Sequence, residues 1–148
     1  MIVYAVEKYS DIEPELKQLY PEHYEELTVS KNFPLDPDYT RYSRLEQMGM
    51  LHVTSCRKDG ELIGYVLMLI GPALHYKSCL VGHEDIYFLK KEHRKGRTGI
   101  KMFHFVEQEM KKLGVDRIVM GTKVYSDNSK LFEYLGYRFY EKLYTKEI

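Results

Sequence analysis

A basic, glycine-bearing stretch in the middle of the chain has the residue types that hold phosphate groups. It reads KKEHRKGRTGIK from Lys90 to Lys101, with Gly96 and Gly99 among cationic side chains. A strand-like segment precedes it and an amphipathic helical pattern follows, so the free amides and the dipole of a helix N-terminus meet at this turn. The stretch predicts an anion site. A solvated helix start and a nucleic-acid patch are the competing interpretations.

Three polar residues interrupt the apolar segment before this turn, namely His83, Glu84 and Asp85. Strand alternation predicts that His83, Asp85, Tyr87 and Leu89 share one face and that Glu84 lies on the other. A carboxylate inside an apolar strand costs free energy unless it has a partner. The acidic pair therefore indicates either a functional site or a structural ion pair, and the sequence leaves both open.

The other reactive residue types do not suggest a second site. No metal-ligand spacing is found among the remaining candidates, so no metal is expected: His52, His75, His93 and His104. Cys56 and Cys79 lie in apolar segments and are predicted to be core residues rather than nucleophiles. Two cysteines do not form a disulfide framework, and the N-terminus does not resemble a signal peptide. A cytoplasmic location is expected.

A single mixed, mostly antiparallel sheet flanked by helices is predicted to position these residues, an α/β (α+β) fold in one domain over residues 1–148. Strands are predicted at Ile2–Val6, Leu51–Arg57, Leu62–Ile70, Cys79–Leu89 and Arg117–Thr122, with one or two more over Tyr137–Tyr144. The Asp-Gly pair between the second and third strands predicts a hairpin.

Four helices are predicted between these strands: Asp11–Leu27, Tyr39–Met48, Gly99–Leu113 and Ser126–Leu135. Pro21 is expected to break or end the first helix. In the third helix Phe103, Val106, Met110 and Leu113 recur at helical spacing and are expected to line one face. Gly114 is the predicted C-terminal cap of that helix.

Charge and hydropathy argue against two classes of partner, nucleic acids and membranes. The chain has 148 residues, 44% of them hydrophobic, and its 22 Lys and Arg balance 22 Asp and Glu. Because nucleic-acid-binding domains usually carry a net basic field, a nucleic-acid partner is unlikely on this composition. The longest apolar stretch falls far below the ~20 residues that a membrane span needs, so no membrane partner is expected.

The turn and its surroundings resemble the GNAT superfamily of N-acetyltransferases. The family signature, Gln/Arg-x-x-Gly-x-Gly/Ala between a strand and a helix, matches at Arg94 and Gly99. Arg97 stands where the first glycine is usual, and Gly96 lies beside it. The later segment NSKLFEYLGY, from Asn128 to Tyr137, is similar to the family's late helix, which ends in Leu-Gly-aromatic. The order of strands and helices agrees over nearly the whole chain.

The resemblance implies acetyl-CoA as the donor, with backbone groups near Leu89 on the pantetheine arm and the amides of Lys95 to Gly99 on the pyrophosphate. Asn128 either contacts the arm or caps a helix. The cofactor-binding residues implied are Leu89, Arg94, Lys95, Gly96, Arg97, Thr98, Gly99 and Asn128.

The implied reaction is direct attack of a primary amine on the thioester, with Asp85 or Glu84 as the catalytic base. The family's usual tyrosine acid falls at Phe132, so proton transfer through water or the substrate is the alternative. Because the chain has fourteen tyrosines, Tyr134 is predicted to be a core residue rather than the acid.

Two rival functions remain. A non-catalytic CoA-binding or regulatory module would keep the fold without the chemistry, and Phe132 favours it. A nucleic-acid partner for the basic stretch is a weaker hypothesis. The acceptor is expected to be a small-molecule or peptide amine. The predicted C-terminal strands offer an edge for pairing two copies, so a homodimer is considered.

Overall fold

The computed structural model of the protein describes residues 1–28 and 32–148. In this part of the chain the strands are β1 (Ile2–Glu7), β2 (Leu51–Lys58), β3 (Glu61–Pro72), β4 (Leu80–Leu89) and β5 (Arg117–Val119). The α helices are α1 (Tyr9–Leu27), α2 (Tyr39–Gln47), α3 (Thr98–Lys112) and α4 (Ser129–Tyr134). The strands form one sheet in the order β1-β2-β3-β4-β5, antiparallel except for the β4–β5 pair. The predicted mixed sheet is confirmed.

Helices cover both faces of the sheet, which makes a three-layer structure with two cores. One core packs α1 and the partly buried side chains of α2 against one face, around Tyr65 and Leu67. The other packs α3 and α4 against the opposite face, around Val66 and Met68. Because the centre of β3 is buried on both faces, its sequence reads as a continuous apolar run rather than an alternating one.

The first helix runs through both of its prolines, so the predicted break at Pro21 is wrong. The helix continues to Leu27, and its apolar residues Ile12, Leu16 and Tyr20 are buried against the sheet. Proline removes one backbone hydrogen bond, but most helical stability in proteins comes from packing of the apolar face. That packing extends to Tyr20, next to the proline, and it outweighs the lost bond.

Two of the predicted turns are confirmed by backbone geometry. Asp59 and Gly60 have φ values of 50° and 90°, as the two central residues of a type I′ hairpin require. Gly114 has a φ of 78° and follows the last turn of α3. Leu113, predicted on the buried face, is instead 51% exposed because α3 ends at Lys112.

The predicted C-terminal strand is wrong, since residues 137–148 form no strand in the structure. The neighbouring edge strand β5 is only three residues long, so it offers few ladder hydrogen bonds to a partner. Phe139 and Leu143 are 75% and 84% exposed, so the segment buries too little apolar area to offset the entropy of ordering it. The homodimer hypothesis relied on these strands and stays untested.

Candidate active site

A β-bulge in β4 decides which way the two acidic residues face. In the β3–β4 register Met68 pairs with Glu84 and Leu67 pairs with Ile86, which leaves Asp85 as the extra residue. The bulge reverses the alternation, so Glu84 shares a face with Tyr87 and Leu89 while Asp85 lies on the other face. The predicted grouping of Asp85 with Tyr87 and Leu89 is therefore wrong.

Beyond the bulge, β4 and β5 separate and a cleft opens between them. β5 pairs with β4 only over Val81–His83, while β4 continues to Leu89. The cleft encloses about 180 Å³, which suits a narrow chain rather than a whole nucleotide. Its polar lining residues are Glu26, Tyr87, Arg94, Ser126 and Asn128, and the other lining residues are glycine or apolar.

The predicted anion turn lies at the mouth of this cleft. A short 3-10 helix at Lys91–His93 follows β4, and α3 begins at Thr98. The Lys101 amide donates to the Arg97 carbonyl at 2.9 Å, so the amides from Thr98 to Ile100 precede the first bond of the helix. Gly96 has a φ of 82°, a backbone conformation that favours glycine. The turn therefore presents free amides, and Gly99 lines the cleft beside Leu89.

Arg94 is held by protein groups rather than left free for an anion. Its Nε donates to the Leu89 carbonyl at 2.7 Å, and its Nη2 donates to Glu26 Oε2 at 2.7 Å. The guanidinium also lies over the Phe88 ring, 5.7 Å from the centroid. The hydrogen bond from Arg94 lowers the pKa of Glu26. Arg94 thus ties the turn to the ends of β4 and α1.

Glu84 is a partly buried carboxyl whose surroundings disfavour its charge. Burial, and after it the charge of Asp85, raises the pKa of Glu84 to about 7. A hydrogen bond from the Gly121 backbone opposes this shift, as does the charge of Lys123. A Cβ on residue 121 would lie 2.7 Å from Glu84 Oε1, so any side chain at this position would displace the carboxylate from its place.

Asp85 has a different partner on the other face of β4. Its Oδ2 accepts a hydrogen bond from the Tyr42 hydroxyl at 2.5 Å. The Tyr42 ring stacks on Tyr9, with centroids 4.9 Å apart, inside the core formed by α1 and α2. Burial raises the pKa of Tyr42, and the hydrogen bond to Asp85 raises it further. Asp85 therefore anchors α2 to the sheet.

Asn128 lines the cleft and contacts Tyr87. Its Nδ2 donates to the Tyr87 hydroxyl at 3.2 Å, whereas its side chain makes no cap hydrogen bond to α4. The capping contact comes from Asp127, whose Oδ1 accepts from the Ser129 amide at 2.9 Å. Of the two roles left open for Asn128, the structure excludes the side-chain cap.

Phe132 is buried behind two residues that line the cleft, Tyr87 and Phe103, and has no proton to give. It packs edge-on against Tyr87, with centroids 5.8 Å apart. Tyr134 is 66% exposed, so its predicted core role is wrong, because its position on α4 faces away from the sheet.

Tyr87 and Gly121 belong to the site although the sequence does not single them out. Strand alternation is a signal for Tyr87, because it lies two residues before Leu89 on β4. Gly121 reaches the site only through tertiary packing, so local sequence carries no signal for it.

Two findings on the described residues concern metal ions and membrane spans. Among the residues that the structure describes, no three His, Cys, Asp or Glu side chains group closely enough to hold a metal ion. Within residues 1–28 and 32–148, no helix combines the length and apolar character needed to cross a membrane.

The five-stranded sheet, the split between β4 and β5 and the glycine turn before α3 define an acyltransferase-like architecture. The model of the Acetyltransferase (GNAT) family matches residues 14–143. The chain therefore belongs to the GNAT acetyltransferase family. No curated protein matches the chain.

Solved structures share the whole fold at low sequence identity. A ribosomal-protein-alanine N-acetyltransferase from Brucella melitensis is 18% identical with a TM-score of 0.74, and the match covers 100% of this chain and 99% of that one. A predicted acetyltransferase with acetyl-CoA from Clostridium acetobutylicum is 14% identical with a TM-score of 0.77, covering 99% and 96%. An aminoglycoside acetyltransferase from an uncultured soil sample is 16% identical with a TM-score of 0.70, covering 99% and 97%. At these identities the likeness concerns the fold.

Proposed function

We propose that the protein transfers an acetyl group from acetyl-CoA to a primary amine by direct attack, with Glu84 as the catalytic base. The observation that carries the proposal is the Glu84 carboxyl, on the cleft face of β4, with a pKa raised to about 7. A general base works best when its pKa lies near the operating pH. The family and the solved relatives support acetyl transfer in general.

The turn and cleft fit the two ends of the donor. Free amides from Thr98 onward and the positive end of the α3 dipole suit a pyrophosphate, and Lys95 and Arg97 add charge beside them. The narrow cleft past Leu89 and Gly99 suits an extended thioester arm. A related structure described with acetyl-CoA supports this choice of donor.

Glu84 would act once the acceptor amine reaches the split between β4 and β5, where the carboxyl lies beside Gly121. An amine with a pKa of about 10.4 must lose a proton to become a nucleophile. Glu84 in its ionised form accepts that proton, directly or through one water, while the amine nitrogen bonds to the thioester carbon. As the C–S bond breaks, the thiolate leaves and the amide product forms. The reaction needs no metal.

The acceptor is proposed to be a small-molecule or peptide amine. Solved relatives include enzymes described as acting on aminoglycosides and on a ribosomal protein, which are both amine acceptors of very different size. The sequence places the acceptor between the Tyr20–Met50 region and the Gly71–Lys77 loop, and residues 29–31 of that region lie outside the described residues. We also propose a cytoplasmic location, supported by the two free cysteines.

Calorimetry with acetyl-CoA tests the donor site. Arg97→Glu places a negative charge at the anion turn and should weaken binding at least tenfold. Lys111→Glu is the matched control, since it makes the same charge change at the other end of α3, about 20 Å away, and should bind like the wild type. Absence of acetyl-CoA binding to the wild type would refute the donor assignment.

A thiol-release assay across a panel of amines tests the enzyme against the non-catalytic alternative. Phe132, a buried side chain with no proton to give at the position of the family's usual tyrosine acid, is the feature that favours a CoA-binding or regulatory module. Acetyl-CoA binding together with thiol release supports the enzyme. Binding with no release for small amines, peptides and protein N-termini would support the module instead.

A further inference from the structure

The β4 bulge brings Tyr87 to the same face as Glu84. The two residues are three positions apart, so in a regular strand their side chains would point to opposite faces. The extra residue Asp85 restores a common face, with Glu84 paired to Met68 and Tyr87 paired to Val66. A carboxyl and a phenol therefore project toward the split between β4 and β5.

Both side chains lie beside the backbone of one residue, Gly121. The Glu84 carboxyl lies so close that a Cβ on residue 121 would be 2.7 Å from Oε1. The Tyr87 hydroxyl donates to the Gly121 carbonyl at 2.8 Å and accepts from Asn128 Nδ2 at 3.2 Å. These contacts place the carboxyl and the phenol beside the same residue, at the split between β4 and β5.

The Tyr87 ring is held as firmly as its hydroxyl. It packs edge-on against Phe103 and Phe132, with centroids 5.3 Å and 5.8 Å away. The hydroxyl therefore has a fixed position on the wall of the cleft.

Tyr87 carries the most readily donated proton among the polar side chains that line the cleft. Glu26 accepts from Arg94, which lowers the pKa of its carboxyl and keeps it ionised. Arginine does not release a proton in proteins, and the amide of Asn128 and the hydroxyl of Ser126 are far weaker acids than a phenol. Burial raises the pKa of Tyr87, so its hydroxyl stays protonated at neutral pH.

We propose that Tyr87 is the catalytic acid that protonates the departing thiolate, a role that rests on the proposed function. As the C–S bond breaks, its two electrons go to sulfur, and the Tyr87 O–H proton moves to the thiolate to give the free thiol. The nitrogen proton passes to Glu84. A solvent proton returns to the Tyr87 oxygen, and Glu84 releases its proton to solvent, which restores both groups.

Tyr87→Phe tests this role because it removes the hydroxyl and keeps the ring. We expect kcat to fall about 10- to 100-fold. This loss is smaller than general acid catalysis usually contributes, because a thiolate is a good leaving group even without a proton. The calorimetric Kd for acetyl-CoA and the thermal midpoint should change little, since the ring packing is kept. A merely structural role would alter the Kd or the midpoint rather than kcat.

Tyr4→Phe is the matched control. The Tyr4 hydroxyl donates to the Thr98 carbonyl at 3.1 Å, near the same turn, and it is not among the residues that line the cleft. Removing it should change kcat less than threefold. If Tyr87→Phe retains wild-type kcat, or loses only acetyl-CoA affinity, the acid role is wrong while the proposed function stands. If the wild type releases no thiol with any amine, the proposed function fails and the acid role fails with it.

Discussion

Glu84 and Asp85 are neighbours in sequence, yet the structure gives them opposite environments. Glu84 lies on the cleft face beside Gly121, and Asp85 lies on the α1/α2 face against Tyr42. Strand alternation alone places two adjacent residues on opposite faces, and the bulge at Asp85 decides that Glu84 is the one that shares a face with Tyr87 and Leu89. One extra residue thus decides which carboxylate faces the cleft and which one anchors a helix.

The two environments also differ in how well they stabilise a negative charge. Asp85 accepts a short hydrogen bond from a phenol. Glu84 is desolvated and lies near the Asp85 charge, and its pKa is raised to about 7. A carboxylate whose charge is poorly stabilised takes up a proton readily. The raised pKa of Glu84 therefore supports the base role proposed for it.

The largest expected effect separates the two carboxylates by activity. Glu84→Gln removes the proposed base and should lower kcat about 100- to 1,000-fold, within the usual range for general base catalysis. Asp85→Asn keeps an oxygen acceptor for Tyr42 and should lower kcat less than tenfold. Steady-state thiol release measures both. Equal losses in the two variants, or a larger loss in Asp85→Asn, would overturn the assignment.

Gly121→Ala should move the Glu84 carboxylate without removing it. The added Cβ would lie 2.7 Å from Glu84 Oε1, closer than such contacts allow, so the carboxylate must shift. We expect kcat to fall about tenfold, because misplacing a catalytic group by an ångström is costly. Gly71→Ala is the control, since its Cβ would meet only Met50 Cε at 3.5 Å. An unchanged kcat in Gly121→Ala would mean that the position of Glu84 is unimportant.

The glycine-bearing turn before α3 can be predicted from the sequence, whereas the face on which each β4 side chain lies cannot. The reason is physical. A turn such as Lys95–Gly99 is specified locally, by glycine and by the helix that follows. A bulge is a property of the register between two strands, and nothing in residues 83–88 alone shows that Asp85 is unpaired against β3. Regular strand alternation therefore places Asp85 on the wrong face of β4.

Tertiary packing explains the other differences between sequence and structure. Pro21 was expected to end α1, but the buried face of the helix carries it onward. The C-terminal segment has strand-forming residues, yet β5 is too short to pair with it. The fold class and the strand order follow from hydrophobic periodicity and turn residues. The length of α1 and the pairing of the C-terminal segment depend instead on tertiary packing.

The pH dependence of stability offers a smaller effect that isolates Glu84. The pKa of Glu84 is about 7 in the folded protein, against an ordinary value of 4.5. Between these two pH values the folded state therefore binds a proton that the unfolded state has released. Stability contributed by this group is therefore lost as pH rises from about 4.5 to 7. The Glu84→Gln variant does not lose stability in this way. Its free energy of unfolding should therefore exceed that of the wild type by roughly 1–2 kcal/mol at pH 8, allowing for the partial exposure of Glu84.

Urea unfolding of the two proteins at pH 4.5 and pH 8 measures this gain. The difference between variant and wild type should be near zero at pH 4.5, where the wild-type carboxyl is mostly protonated in the folded state. A gain of the same size at both pH values would show that the glutamine packs better, and that charge burial at Glu84 is not its cause.

The smallest expected effect links the two carboxylates directly. The charge of Asp85 helps to raise the pKa of Glu84. Asp85→Asn should therefore shift the acidic limb of the pH profile of kcat/KM to lower pH, by about half a pH unit. Tyr42→Phe is the matched control, because it breaks the same hydrogen bond but keeps the charge, and it should not lower the limb. The pH dependence of thiol release measures both variants. If both lower the limb equally, packing against α2 rather than the Asp85 charge sets the pKa of Glu84, and the electrostatic link between the two faces of β4 is refuted.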